Sequence, residues 1–223
     1  NHTQVPSADR FSDAILVDKL NEPIELEILN NGDVLFIERW GSIKYYDKTL
    51  QKTKTLAVLE VNDSQSNGLN GLALDPDFEQ NCLIYLSYTP PNDLFHQHIS
   101  SFILTQDEFL LDSEKIIMQI PIDARDGNHA ENALEFDSEG NLFIGMGDFT
   151  REPTGYAAID ERNGHEQSDA QRTSANSNDY RGKILRIRPQ PDGTYLIPDH
   201  NLFPKDGSEG RPEIYIMGCR NPY

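Results

Sequence analysis

Three stretches of the chain repeat one pattern of apolar and polar positions. Leu26-Glu27-Ile28-Leu29 is followed by polar Asn30-Asn31-Gly32-Asp33 and then by apolar Val34-Leu35-Phe36-Ile37. Leu72-Ala73-Leu74-Asp75 runs through residues 76–81 into Cys82-Leu83-Ile84-Tyr85-Leu86. Leu134-Glu135-Phe136-Asp137 runs through Ser138-Glu139-Gly140-Asn141 into Leu142-Phe143-Ile144-Gly145. Each unit reads as a short strand, a turn rich in Asp, Asn and Gly, and a second strand. Gly and Asn suit such turns because they accept the positive φ that tight hairpins require.

Two further strands follow each hairpin. They are predicted at Ser42 to Asp47 and Thr55 to Val61, at His98 to Leu104 and Lys115 to Ile120, and at Lys183 to Arg188 and Thr194 to Ile197. Four strands per repeat is the anatomy of a propeller blade, and blades of the WD40 kind take about 40–45 residues. No long amphipathic helix at 3.6-residue spacing is present, which argues against α/β folds and helical bundles. A β-sandwich is the structural alternative. The strands are little more apolar than their flanks, as expected where sheets stack face to face. Residues 150–180 carry little strand character. A loop that long is unusual and often functional, and in a propeller it would project from one face near the channel mouth.

Composition narrows the partners. The 223 residues carry 19 Lys+Arg against 37 Asp+Glu, a net charge of −18. Such a surface repels phosphate backbones, so nucleic acid is not expected as a partner. Solubility explains most of the excess, and an affinity for oxygen-seeking Ca²⁺ is a secondary reading. No apolar run reaches the length of a membrane span. The chain begins with Asn1 and no basic-then-apolar leader follows it. The two cysteines, Cys82 and Cys219, form no CxxC pair and read as small buried hydrophobes. His2, His96, His98, His165 and His200 read as solvated side chains, because their spacing matches no metal-site pattern.

Four ordered motifs resemble one family. They are NGLNGLALDPDF at Asn67–Phe78, NHAENALEFDSEGNLFIGMGD at Asn128–Asp148, NDYRGKILRIRPQPDGTYLIPDHNLFP at Asn178–Pro204, and EIYIMGCRNPY at Glu213–Tyr223. Together they are similar to the glucose/sorbosone dehydrogenases, the soluble enzymes that use pyrroloquinoline quinone (PQQ). The resemblance implies an all-β fold, a six-bladed β-propeller with the cofactor on its top face. Residues 1–10 would be an N-terminal tail. Residues 11–223 would supply about three blades and the start of a fourth. The rest of the propeller, or a covering chain, is expected to protect the open end.

The resemblance also implies a chemistry. Oxidising the anomeric or aldehyde carbon of a sugar needs a base for the hydroxyl proton and an acceptor for the hydride, and no side chain accepts hydride. His129 aligns with the family base. Asp148 lies 19 residues on, and a hairpin would bring it to the imidazole. Arg220 and Asn221 match residues that contact the quinone. Ca²⁺ is the implied second cofactor, with ligands expected beyond Tyr223. A sugar is the expected substrate, the electron acceptor is open, and a periplasmic or extracellular location is expected. The chain departs from the pattern at several positions. Ala130-Glu131-Asn132 stand where the family usually has Gly-Gly shortly after the histidine. Asn128 stands where an acid is common, Asn70 replaces a Leu, and Ser66 replaces an acid or amide. Two other functions compete: a propeller that has lost catalysis and binds carbohydrate or protein, and a calcium-dependent lactonase.

Overall fold

The computed structural model describes residues 7–105, 108–124, 128–151 and 159–222. Three antiparallel sheets follow one another along the chain. The first contains β1 (Pro23–Ile28), β2 (Val34–Glu38), β3 (Ser42–Asp47) and β4 (Lys52–Val58), each paired with its sequence neighbour. The second contains β5 (Leu69–Leu74), β6 (Leu83–Tyr88), β7 (His96–Leu104) and β8 (Phe109–Pro121) in the same order, with a one-turn helix, α1 (Phe78–Asn81), inside the first hairpin. The third contains β9 (Asn132–Phe136), β10 (Leu142–Met146) and β11 (Lys183–Pro189). Its outer edge is shared by β12 (Tyr195–Leu196) and β13 (Ile214–Met217), which pair with opposite ends of β11. The first strands of successive sheets, β1, β5 and β9, lie beside one another, as the inner strands of propeller blades do.

Burial explains why the strands read weakly from hydropathy. The middle sheet is covered on both faces. From β5 and β6, Leu72, Ile84 and Leu86 pack with Leu35, Ile37 and Ile43 of the first blade. The alternate residues Ala73 and Tyr85 pack with Leu134, Leu142, Ile144 and Leu185 of the third. A strand buried on both sides loses the apolar–polar alternation that marks a half-wet sheet. In the first blade one face of β1 is open, and it carries Leu26 and Ile28 at 54% and 67% exposure.

The repeated turns fold as their chemistry predicts. Gly32 and Gly140 take φ of 85° and 80°. Asp137 closes its turn by accepting from the Glu139 N–H, the Asn141 N–H and the Asn141 side chain at 2.8–2.9 Å. Asp75 does the same for Asp77 and Asn81. The third outer edge differs from the predicted single strand at Thr194 to Ile197. That strand is only two residues long, and the segment of the RNP motif supplies the rest of the edge through β13. Among the described residues no fourth sheet forms, and the chain past Met217 turns back toward the end of β10. Both cysteines are free and only partly buried, so neither is the enclosed hydrophobe expected. His98 is buried at 8% exposure, with its ring against Gln119, rather than solvated.

Candidate functional site

The candidate site lies at the end of the third blade opposite the Asp137 turn. His129 lies three residues before β9, and Asp148 lies two residues past β10. Because those strands are antiparallel neighbours, the ends meet, and His129 Nδ1 lies 2.9 Å from Asp148 Oδ1. Asp148 is 1% exposed, and its Oδ1 also accepts from the Thr150 N–H at 2.9 Å. A carboxylate only accepts, so the contact assigns the ring proton to Nδ1 and leaves the Nε2 lone pair free. The imidazole is a fifth exposed, so solvent or a ligand reaches it while the acid stays dry.

The backbone that presents this pair is unusual. His129 and the fully buried Phe149 both take left-handed conformations, with φ of 54° and 55°. Such values in non-glycine residues carry strain and cluster where surrounding structure holds a functional geometry. Gly147 sits between them. A Cβ there would lie 1.7 Å from the His129 carbonyl oxygen, so only glycine lets the two segments approach.

The RNP segment closes the site. The Asp148 N–H donates to the Arg220 carbonyl at 2.8 Å, and the Cys219 N–H donates to the Gly182 carbonyl at 3.0 Å. Gly182 in turn donates to the Gly147 carbonyl at 2.9 Å. The Asn221 amide lies beside Gly147 and donates through Nδ2 to Glu131 Oε2 at 3.2 Å. Thus His129, Asp148, Arg220 and Asn221, far apart in sequence, share one corner of the blade.

Lys183, at the start of β11, anchors that corner from below. It is fully buried, and its Nζ donates to the carbonyls of Thr173, Arg181 and Ser174 at 2.8, 2.8 and 3.1 Å. Three acceptors match the three N–H bonds of an ammonium. Burial pushes its pKa down to about 8, which still leaves it charged at neutral pH. Ser174 then passes the tie on: its hydroxyl donates to the Cys219 carbonyl at 2.7 Å and its carbonyl accepts from Gly218. Sequence reasoning missed Lys183, because a lysine in KILRIR looks like the wet face of an alternating strand. The flanking 150–180 segment forms two short 3-10 turns, Glu166–Ser168 and Ala170–Arg172, and residues 152–158 lie outside the described residues.

Buried polar atoms are concentrated at this end of the sheets. Asp148 Oδ2 and Thr150 Oγ1 are buried without a hydrogen-bond partner among the described residues. The Arg220 backbone is held against Asp148, and an arginine and an amide side by side in sequence are the donor types that a polar, carboxylated ring system needs. The residues present therefore fit PQQ. Among the described residues no group of three or more His, Cys, Asp or Glu side chains is placed to hold a metal ion.

Comparison with known proteins identifies the class. Residues 20–223 match the family Glucose / Sorbosone dehydrogenase, and the chain belongs to it. The aldose sugar dehydrogenase YliI of Escherichia coli (strain K12) is 29% identical over 217 residues, covering 93% of this chain and 51% of the relative. Quinoprotein glucose dehydrogenase B of Acinetobacter calcoaceticus is 24% identical over 229 residues, covering 96% of this chain and 45% of the relative. The crystal structure of the soluble aldose sugar dehydrogenase of Escherichia coli, in the apo-form, superimposes with a TM-score of 0.69 at 25% identity, over 93% of this chain and 54% of that one. The chain spans about half the length of these relatives. No helix among the described residues is long and apolar enough to cross a membrane.

Proposed function

We propose that this chain is the His129-bearing part of a PQQ-dependent sugar dehydrogenase that acts on the anomeric or aldehyde carbon of an aldose outside the cytoplasm. The observation that carries the reading is the His129–Asp148 pair at 2.9 Å, with the Arg220-Asn221 segment hydrogen-bonded to the same aspartate. Family membership and the quinoprotein relative agree with it.

The residues divide the work as follows. Asp148 Oδ1 holds the Nδ1 proton and so fixes the ring's tautomer and orientation. His129 Nε2 takes the proton of the sugar's C1 hydroxyl as that carbon gives up its hydride. Buried Asp148 then stabilises the imidazolium that results. Arg220 and Asn221 would hold the cofactor by its carboxylate and carbonyl oxygens. Bound PQQ supplies the two-electron acceptor that no side chain can provide. Ca²⁺ is the second expected cofactor, and no step here depends on it.

The test is a titration of PQQ, with Ca²⁺ present, into the protein at its full natural length, followed by dye reduction with aldoses. Saturable binding is expected, with His129→Ala lowering kcat by about 10²–10⁴-fold while cofactor affinity stays within a small factor. A folded full-length protein that binds no quinone would replace this reading with a non-catalytic, carbohydrate- or protein-binding propeller.

A further inference from the structure

Glu131 and Asn132 place two side chains where the family pattern usually carries Gly-Gly. The structure shows that they are fitted rather than tolerated. Asn132 is 2% exposed and spans two blades. Its Oδ1 accepts from Gln97 and, at 3.2 Å, from Ser87, both in the middle blade. Its Nδ2 donates to the Gly145 carbonyl at 3.1 Å. A buried amide with partners on both sides costs little stability, whereas the same amide without them would be strongly destabilising. The changed segment is therefore an integral part of the interface between these blades.

Successive residues here point in opposite directions, so with Asn132 turned inward Glu131 faces the site. Its Oε2 accepts from Asn221 Nδ2 at 3.2 Å. That bond orients the amide, with Nδ2 toward the carboxylate and Oδ1 on the Gly147 side, where a Cβ would lie 2.9 Å from it. Glu131 thus orients Asn221 and adds a formal negative charge two residues from the candidate base.

We propose that Glu131 is a specificity-determining residue, biasing the site toward neutral and amino sugars and against anionic sugars such as uronates. The inference rests on the sugar-dehydrogenase reading above. A like charge in partly wet surroundings opposes an approaching carboxylate, and an approaching ammonium is favoured to a similar degree.

The experiment uses the full-length holoenzyme with glucose, glucosamine and glucuronate. Glu131→Gln keeps an oxygen for Asn221 while removing the charge. It is expected to raise the kcat/KM ratio of glucuronate to glucosamine by roughly tenfold. Glu131→Asp, which keeps the charge, should keep the wild-type ratio. Calorimetric affinities for the same sugars, measured in the His129→Ala background where turnover is slow, should shift in the same direction. An unchanged ratio in Glu131→Gln, or an equal loss for all three sugars, overturns the inference and leaves the dehydrogenase reading standing. A wild-type holoenzyme that oxidises none of the three overturns both.

Discussion

The two ends of the three sheets handle polar groups in opposite ways. At the turn end, each hairpin closes its hydrogen bonds mostly within its own blade. Asp33 accepts from Asn31, Tyr45 and the Lys48 N–H, and Asp137 from Glu139 and Asn141. At the site end the partners are distant in sequence: Asn67 donates to the Ala124 carbonyl, Asn70 to Ala130, Gln97 to the Asn132 side chain, and Asp148 to Arg220. Acceptors on Asn67, Asn70, Gln97 and Asp148 are buried there without a partner among the described residues. A buried polar atom left unpaired costs stability, so groups of them concentrate where a ligand or ordered water gives a return. The turn end serves the fold, and the site end gives up some stability to keep polar atoms available.

Three substitutions probe that contrast, beginning with the most damaging. Gly147→Ala forces a methyl group into the His129 carbonyl. Moving the base by about 1 Å should cost at least ~10²-fold in kcat/KM and loosen PQQ binding, read by titration. Near-wild-type kinetics would mean that the close approach of the two segments is unimportant.

Lys183→Met acts through stability as well. It leaves three buried carbonyls without their donor, a loss of about 3 kcal/mol. For a domain of this size that is roughly 6–12 °C in Tm. The pH dependence sharpens the test. Burial lowers the Lys183 pKa to about 8 from 10.5, so between those values the unfolded chain holds a proton that the folded one has released. Stability from this group therefore rises with pH across that window. The stability gap between wild type and Lys183→Met, measured by urea melts, should widen from pH 8 to pH 10. A gap constant over that range contradicts a desolvated ammonium.

Asp137→Ala should do least. It removes turn hydrogen bonds worth about 1 kcal/mol and leaves kcat and KM for the sugar unchanged. Burial raises the Asp137 pKa, but the hydrogen bonds from Asn141 and Glu139 outweigh it and hold the pKa below the usual carboxylate value. Its contribution is therefore present above the unfolded pKa and lost as pH falls through the folded one. The difference between wild type and variant should shrink in acid. A loss of activity in this variant would erase the distinction between the two ends.

How far the sequence could be read follows the same division. The hairpins were legible because strand and turn signals coincide: LEFD-SEGN-LFIG states two strands and the glycine between them. His129 and Asp148 were legible because a hairpin of that length returns the chain to its start. The outer edge of the third blade was not, because β12 and β13 divide it and a long excursion separates them. Lys183 was invisible because its partners are backbone carbonyls, which any sequence can offer. The left-handed Phe149 gave no signal either, since a bulky aromatic rarely takes that conformation, and the left-handed His129 is of a type that does so more often but not in any sequence-specific way. Glu131 was visible as a departure from the family pattern, but its contact with Asn221 required the fold.

The pairing of β13 with β11 also bears on how the protein assembles. Nearly every other strand pairs with its immediate neighbour in sequence, so each blade can zip up locally and then dock on the last. β13 must instead cross back over β12 and the intervening loop, paying a larger loop-closure entropy before any contact rewards it. It is expected to join late, and it is the strand that delivers Arg220 and Asn221. Newly made molecules would then pass through a stage in which all three blades stand and the histidine is in place, yet the Arg220-Asn221 segment has not arrived.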